Sequence, residues 1–230
     1  MKVLIIGASG RTGRYLIQDS LALGHTVTAF IRHPADWPAP DHVRVAKGEA
    51  RDRASLDAAV KGQDAVLSAF GAGSPRFWAR RRVAAAKDAV LSAFRLRSLK
   101  KDDIMETMMR NLVDSMVLLG VKRVVTLLAL GVGDSAKVGS FLYRAAVATL
   151  QLKGVFEDKA RGEEHLFASP LDYVNVRPGR LTNAPARGGV KASLDGKGLK
   201  WEMTRADLSK FMVAQLTGDT WVRKSSLIGY

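Results

Sequence analysis

The stretch that most restricts the fold is the first thirteen residues, MKVLIIGASGRTG. Lys2 to Ile6 is a short apolar run that breaks at Gly7. The chain continues through Ala8, Ser9, Gly10, Arg11, Thr12 and Gly13 into an amphipathic segment, Arg14 to Leu23. That order spells strand, glycine turn, helix. Glycine takes such a turn without steric strain. With side chains out of the way, main-chain N–H groups can meet an anion at the positive end of the following helix. Ser9, Arg11 and Thr12 add donors. The spacing Gly7-x-x-Gly10-x-x-Gly13 differs from G-x-G-x-x-G, and a glycine triple alone is a weak signal. Its place between a strand and a helix gives the context of a dinucleotide diphosphate site. The competing reading is a tight turn with no ligand.

The next segment bears on which dinucleotide. Gly24 closes the helix, and His25 to Ile31 reads as a second strand ending at Arg32. An acidic residue here would hold the ribose 2′-hydroxyl of NAD, whereas an arginine suits a 2′-phosphate, so NADP is expected. The alternative is an exposed loop arginine. A proline-rich loop, Pro34 to Pro40, precedes a third strand, Val43 to Lys47. Asp52 is placed to cap a helix from Arg53 to Lys61. Glu49 and Ala50 are placed to border the adenine. Asp64 to Phe70 reads as a buried parallel strand ending at Gly71-Ala72-Gly73, small residues where a ligand crosses a sheet edge.

An unusual segment follows. Asp88 to Phe94 repeats DAVLSAF, the sequence of Asp64 to Phe70. Two copies are too few for a solenoid. One central strand position cannot hold both, and the first copy has the better claim. The second is expected in an irregular or helical excursion, an insertion near residues 74–98. Between Ser74 and Lys101 lie nine cations against Asp88 alone, in a chain of net charge +14. Such a patch suits nucleic acid, an acidic surface or an anionic ligand, or is a solvated basic face. Phe77 and Trp78 are too few for a single-strand stacking platform, so nucleic acid is disfavoured.

Beyond it, Asp102 or Asp103 is expected to cap a helix running to Leu119, whose methionines suit core packing. Arg123 to Leu130 reads as a fifth strand. Gly139 to Leu152 and Val155 to Ala168 read as helices, and Leu171 to Arg177 as a sixth strand before Pro178-Gly179-Arg180. A β-ribbon is expected around Asp195 to Gly198. A helix from Arg205 to Leu216, capped by Thr204, and a strand near Ser226 to Ile228 complete the chain. Alternating strands and helices make a doubly wound parallel α/β sheet, with a small C-terminal lobe over the strand ends. No linker divides residues 1–230, so one domain is expected. There is no cysteine, and the four histidines lack ligand spacing, so no metal is expected. No apolar run is long enough to span a membrane. The opening strand leaves no room for a signal peptide, so a cytoplasmic protein is expected. Oligomeric state is left open.

Several motifs together resemble the atypical short-chain dehydrogenase/reductase superfamily, with its Rossmann-type NAD(P)-binding fold. They are GASGRTG, Arg32, DAVLSAFG, GVKRVV and VRPGRLTN. More narrowly, the chain resembles NAD(P)H-binding proteins of the flavin reductase/biliverdin reductase B type. The tail, ASLDGKG and TRADLSKFMVAQL, is similar to that group as well. The resemblance implies hydride transfer from NADPH to a flavin, a quinone or a similar planar acceptor, the expected small-molecule partner. It places cofactor contacts on Gly7, Ser9, Gly10, Arg11, Thr12, Gly13 and Arg32. It further implies Phe70 and Gly71 beside the adenosine, and Ala129, Leu130, Pro178 and Gly179 around the nicotinamide. Lys159 and Arg180 would overhang the nicotinamide pocket as candidate catalytic residues.

The departures are equally informative. Many short-chain dehydrogenases carry Y-x-x-x-K on one helix face, where the ammonium lowers the phenol pKa. Here Tyr143 is followed four residues on by Val147, and Tyr173 by Arg177 on a strand. Ala129 stands where a serine is common. Carbonyl chemistry with a tyrosine acid is therefore disfavoured. Hydride transfer to a conjugated acceptor survives, with solvent supplying the proton. A non-catalytic NAD(P)-binding regulator is the alternative.

Overall fold

The computed structural model describes residues 1–71, 103–128, 130–131 and 153–230. The basic insertion, the second DAVLSAF copy, Ala129, Tyr143 and the helix expected over Gly139 to Leu152 lie outside them. In chain order the elements are β1 (Lys2–Ile6), α1 (Arg11–Ala22), β2 (Thr26–Ile31), β3 (Val43–Lys47), α2 (Arg53–Val60), β4 (Ala65–Ser68), α3 (Ile104–Leu118), β5 (Arg123–Leu127), α4 (Lys153–Phe167), β6 (Asp172–Pro178), β7 (Arg180–Thr182), β8 (Lys191–Ser193), β9 (Glu202–Thr204), α5 (Arg205–Ala214) and β10 (Lys224–Gly229).

Eight strands form one sheet in the order β3-β2-β1-β4-β5-β6-β10-β8, parallel except for β8. The chain starts at β1, moves outward to β3, then returns to β4 on the other side of β1. The loop after β1 therefore lies at the topological switch point. Alternation along β1 explains its central position. Val3 and Ile5 enter one core while Leu4 and Ile6 enter the other, and all four are buried. The first core contains Leu16 and Ile17 of α1 with Leu208, Met212 and Val213 of α5. The second packs α2, α3 and α4 through Leu56, Leu112 and Leu166, with the expected methionines Met105, Met108, Met109 and Met116 buried among them.

Asp52 caps α2, its side chain accepting from the Ala54 N–H at 3.1 Å. The cap expected from Asp102 or Asp103 differs. Asp103 occupies the N-cap position, but its carboxylate pairs with Arg51. The first α3 amides, Met105 and Glu106, instead donate to Asp158 of α4, each at 3.0 Å. A remote acid thus ties two helices together, which local sequence pattern does not disclose.

The tail also departs from expectation. No ribbon forms around Asp195. β8 pairs antiparallel with β10 in the main sheet, and β9 pairs parallel with β7. The Asp195 turn is held locally, with Ser193 Oγ donating to Asp195 at 2.7 Å and the Lys197 amide donating at 3.0 Å. The two strands flanking it leave for different sheets. The small β7–β9 pair lies just past the end of β6 and forms the C-terminal lobe.

That lobe is clasped by Asp207. Its carboxylate accepts from the Tyr230 hydroxyl at 2.6 Å, from Thr204 Oγ1 at 2.9 Å, and from the Arg187 and Gly188 amides at 2.7 and 3.1 Å. Thr204 in turn caps α5 by accepting from the Asp207 amide at 3.0 Å. Burial opposes ionisation of Asp207, but these donors outweigh it and lower its pKa below the usual 3.8. Because the folded-state value is depressed, the stabilisation is complete above the unfolded value and fades as pH falls through the folded one. Asp207→Asn is expected to lower stability at pH 7 and to flatten the acid limb of the stability profile below about pH 4. Denaturant unfolding from pH 7 to pH 2.5 measures both; an unchanged acid limb contradicts this role.

Candidate functional site

The site begins with β1 delivering Gly7 to the switch point. Gly7 has φ +78°, a left-handed conformation, and a Cβ there would stand 2.7 Å from the Ala69 carbonyl oxygen. The turn closes with the Gly10 amide donating to the Gly7 carbonyl at 2.9 Å. Gly13 is still more constrained, since a Cβ would stand 2.2 Å from the Gly7 oxygen and 2.6 Å from that of Ala8. The strand end and the helix start are therefore pressed together, backbone against backbone. α1 begins at Arg11, earlier than the periodicity suggests, so the glycine turn runs directly into the helix.

Among the described residues, no side chain caps the positive pole of this helix. Gly10, the N-cap, supplies no side-chain cap, and the first turn carries no acidic residue. Ser9, Gly10 and Arg11 are exposed, whereas Thr12 and Gly13 are buried. A helix start with free amides, a glycine cradle and no acid suits an anion. The residues present fit a dinucleotide diphosphate on these grounds.

The flanks are placed as follows. The Ala69 amide donates to the Ile6 carbonyl at 2.9 Å, which brings the end of β4, with Phe70 and Gly71, beside the glycine turn. Arg32, just past β2, lies 3.6 Å from Glu49, with the two side chains 61% and 42% exposed. So exposed a pair is weak and leaves the guanidinium available. Gly48 lets the chain pass under Phe30, where a Cβ would stand 2.3 Å from the ring. Ala50 is buried beside α2 in the second core.

On the other half of the sheet, β6 ends at Pro178, and Gly179 fits against Trp201 with no room for a side chain. Leu130 is buried past the end of β5. Arg180 is 78% exposed and pairs with Glu202 at 3.2 Å. Lys159, on α4, is half-buried; burial lowers its pKa, against the pull of Glu163 and Asp158. The two candidate catalytic cations thus differ: one is rim-exposed and ion-paired, the other sits in a drier setting.

Beneath them runs a buried polar column that sequence reasoning missed. Arg177 Nη2 donates to Glu163 at 2.8 Å, and both side chains are 2% exposed. Asn175 donates to Glu163 at 3.5 Å and to Ser225 Oγ at 2.9 Å, while Thr126 donates to Asn175 at 3.4 Å. Polar residues at inward strand positions were the available signal. α4 enters β6 by a short turn and so runs antiparallel to it. One helical turn above Glu163, Lys159 therefore lies roughly two strand residues nearer the sheet's C-terminal edge than Arg177 does.

Among the described residues, no helix is long and apolar enough to cross a membrane, and no group of acidic or histidine side chains is disposed to hold a metal.

Comparison with known proteins agrees with this geometry. Residues 7–219 match a family model described as NAD(P)H-binding. An uncharacterized sugar epimerase, YhfK of Bacillus subtilis, is 28% identical over 226 residues, 94% of this chain and 88% of that protein. An isoflavone reductase homologue of Zea mays is 38% identical over 81 residues, but these span only 26% of its own length and 30% of this chain. The solved structure of ChuY, an anaerobillin reductase of Escherichia coli O157:H7, superposes with a TM-score of 0.71 at 20% identity, covering 100% of this chain and 97% of that one. At that identity the likeness is one of fold.

Gly13→Ala is expected to separate α1 from the turn and abolish measurable NADPH binding, with destabilisation of roughly 1–3 kcal/mol, as for overpacking. Titration calorimetry with NADPH and a melting curve test it. Retained binding contradicts the cradle.

Proposed function

This chain belongs to the NAD(P)H-binding family, and from that premise we propose that it is an NADPH-dependent reductase of a flavin, a quinone or a similar planar acceptor. The observation that carries the reading is the uncapped, glycine-lined start of α1 at the switch point, flanked by Arg32. The reductase name of the Zea mays relative supports the reaction class. In this reading one domain, residues 1–230, carries the whole site. Ser9, Arg11, Thr12 and the free amides at the start of α1 hold the diphosphate, with Gly7, Gly10 and Gly13 giving it room. Arg32 holds the 2′-phosphate and so selects NADP over NAD. Glu49, Ala50, Phe70 and Gly71 enclose the adenosine. Ala129, Leu130, Pro178 and Gly179 bound the nicotinamide.

The bound reduced nicotinamide supplies hydride. The protein's own part is positioning and charge. Pro178 and Gly179 close one side of the pocket and restrict the approach of an acceptor. Lys159 holds a positive charge where negative charge develops on the reduced acceptor. The buried Glu163–Arg177 pair fixes the helix that carries it. Arg180 contributes at the rim. The absence of a tyrosine acid is no obstacle, because a reduced flavin or quinone takes its proton from water.

NADPH oxidation is expected to accelerate on adding FMN or menadione, as followed at 340 nm. Tight NADPH binding without oxidation by any acceptor would assign the chain to the regulator class instead. Arg32→Glu is expected to weaken NADPH roughly tenfold or more, the scale of one charged hydrogen bond, and NADH much less. Equal loss for both removes Arg32 from cofactor choice. Lys159→Met is expected to lower kcat by at least about tenfold with little change in NADPH affinity. Because burial depresses the lysine, wild-type activity should fall on the alkaline side below the ordinary 10.5, and the variant should lack that limb. An unchanged pH profile contradicts the role.

A further inference from the structure

Two helices begin at the same edge of the sheet. α1 leads into β2, and α5 leads into β10, both parallel to the central strands. Each helix therefore runs away from the strands' C-terminal edge, and the two pack against each other. Their first residues are Arg11 and Arg205. Two helix starts, each opening on an arginine, thus lie together at that edge of the sheet.

Arg205 is the unusual one. It is only 8% exposed. Its Nη1 donates to the Leu181 carbonyl at 3.3 Å and to Asn183 Oδ1 at 2.7 Å. Both acceptors are neutral, and among the described residues no carboxylate pairs with it. Asp207, two residues on, is committed to Thr204, Tyr230 and two loop amides. Burial, and then the charge of Arg11, lower the pKa of Arg205, while Tyr15 opposes this. A guanidinium withdrawn from water beside a second cation is unfavourable unless an anion completes the arrangement. The segment that Arg205 holds, β7 and Asn183 after it, follows β6. This is the acceptor half of the sheet, on the opposite side of the switch point from Arg32.

We propose that Arg205 forms an anion subsite for a phosphate or carboxylate on the acceptor, so that the site prefers an anionic planar acceptor to an uncharged one with the same ring. The inference rests on the reductase reading for the identity of the ligand as acceptor. The cofactor diphosphate offers the same chemistry, and the test separates the two sources.

FMN and riboflavin share one ring system and differ by a phosphate. Their affinities for the NADP-saturated protein are read by flavin fluorescence. FMN is expected to bind about tenfold tighter, the scale of one charge-assisted hydrogen bond. Arg205→Met should bring FMN down to the affinity of riboflavin, and Arg205→Lys should keep most of the preference. Melting curves identify any variant that merely fails to fold, and the FMN-to-riboflavin ratio of the wild type tests the proposal without one. Equal binding of the two flavins by the wild type overturns the subsite, as does failure to bind either. An equal loss of NADPH and FMN affinity in Arg205→Met assigns the arginine to the cofactor and also overturns it. FMN preference without NADPH oxidation leaves the subsite standing and removes the reductase. Oxidation with a quinone but no FMN preference does the reverse.

Discussion

The close passage of Gly13 beneath the Gly7 carbonyl is the constraint on which the rest depends. A helix start pressed this tightly on a strand end excludes any side chain between them, as the 2.2 Å position of a hypothetical Gly13 Cβ shows. It fixes the direction of α1, and with it the aim of the free amides at the switch point. Ala69 closes against Gly7 from the neighbouring strand, so the turn is walled on two sides by main chain. Main-chain donors held this rigidly need no reorganisation when an anion arrives.

Charge is distributed to match. α1 has no acid in its first turn and no side-chain cap, whereas α5 is fully capped by Thr204 with Asp207 behind it. α3 borrows its cap from Asp158. The helix end at the candidate site is thus left open while others nearby are satisfied within the protein. The buried Arg177–Glu163 pair, with Asn175 beside it, occupies the underside of the other half of the sheet. Breaking such a pair leaves an uncompensated buried charge, typically a loss of about 3–5 kcal/mol, so it holds α4 and β6 in one relation. Lys159 rides on that helix.

Much of this was legible in the sequence because it follows from local pattern. β1 and β3 lie over the expected residues, and the Asp52 and Thr204 caps form as anticipated. The family model and the mostly parallel sheet agree with the resemblance drawn from GASGRTG and VRPGRLTN. What was not legible depends on contacts remote in sequence. Asp158 caps a helix that starts 54 residues earlier, at Ile104, a partnership no local signal reveals. The ribbon expected at Asp195-Gly196 fails because its two flanking strands find better partners in β10 and β7. Arg205 reads as an ordinary first-turn residue until its burial and its neutral partners are seen. The site roles of Arg32, Lys159 and Arg180 belong to the proposal. The fold shows which of these cations is half-buried and which is at the rim.

The most direct test of the central claim is a crystal structure of the protein grown with NADPH. The account requires the diphosphate to lie against the amides of Arg11 to Gly13, with the 2′-phosphate at Arg32 and the nicotinamide reaching the ends of β5 and β6. A cofactor bound elsewhere, or a turn whose amides are covered by the protein's own side chains, would contradict it.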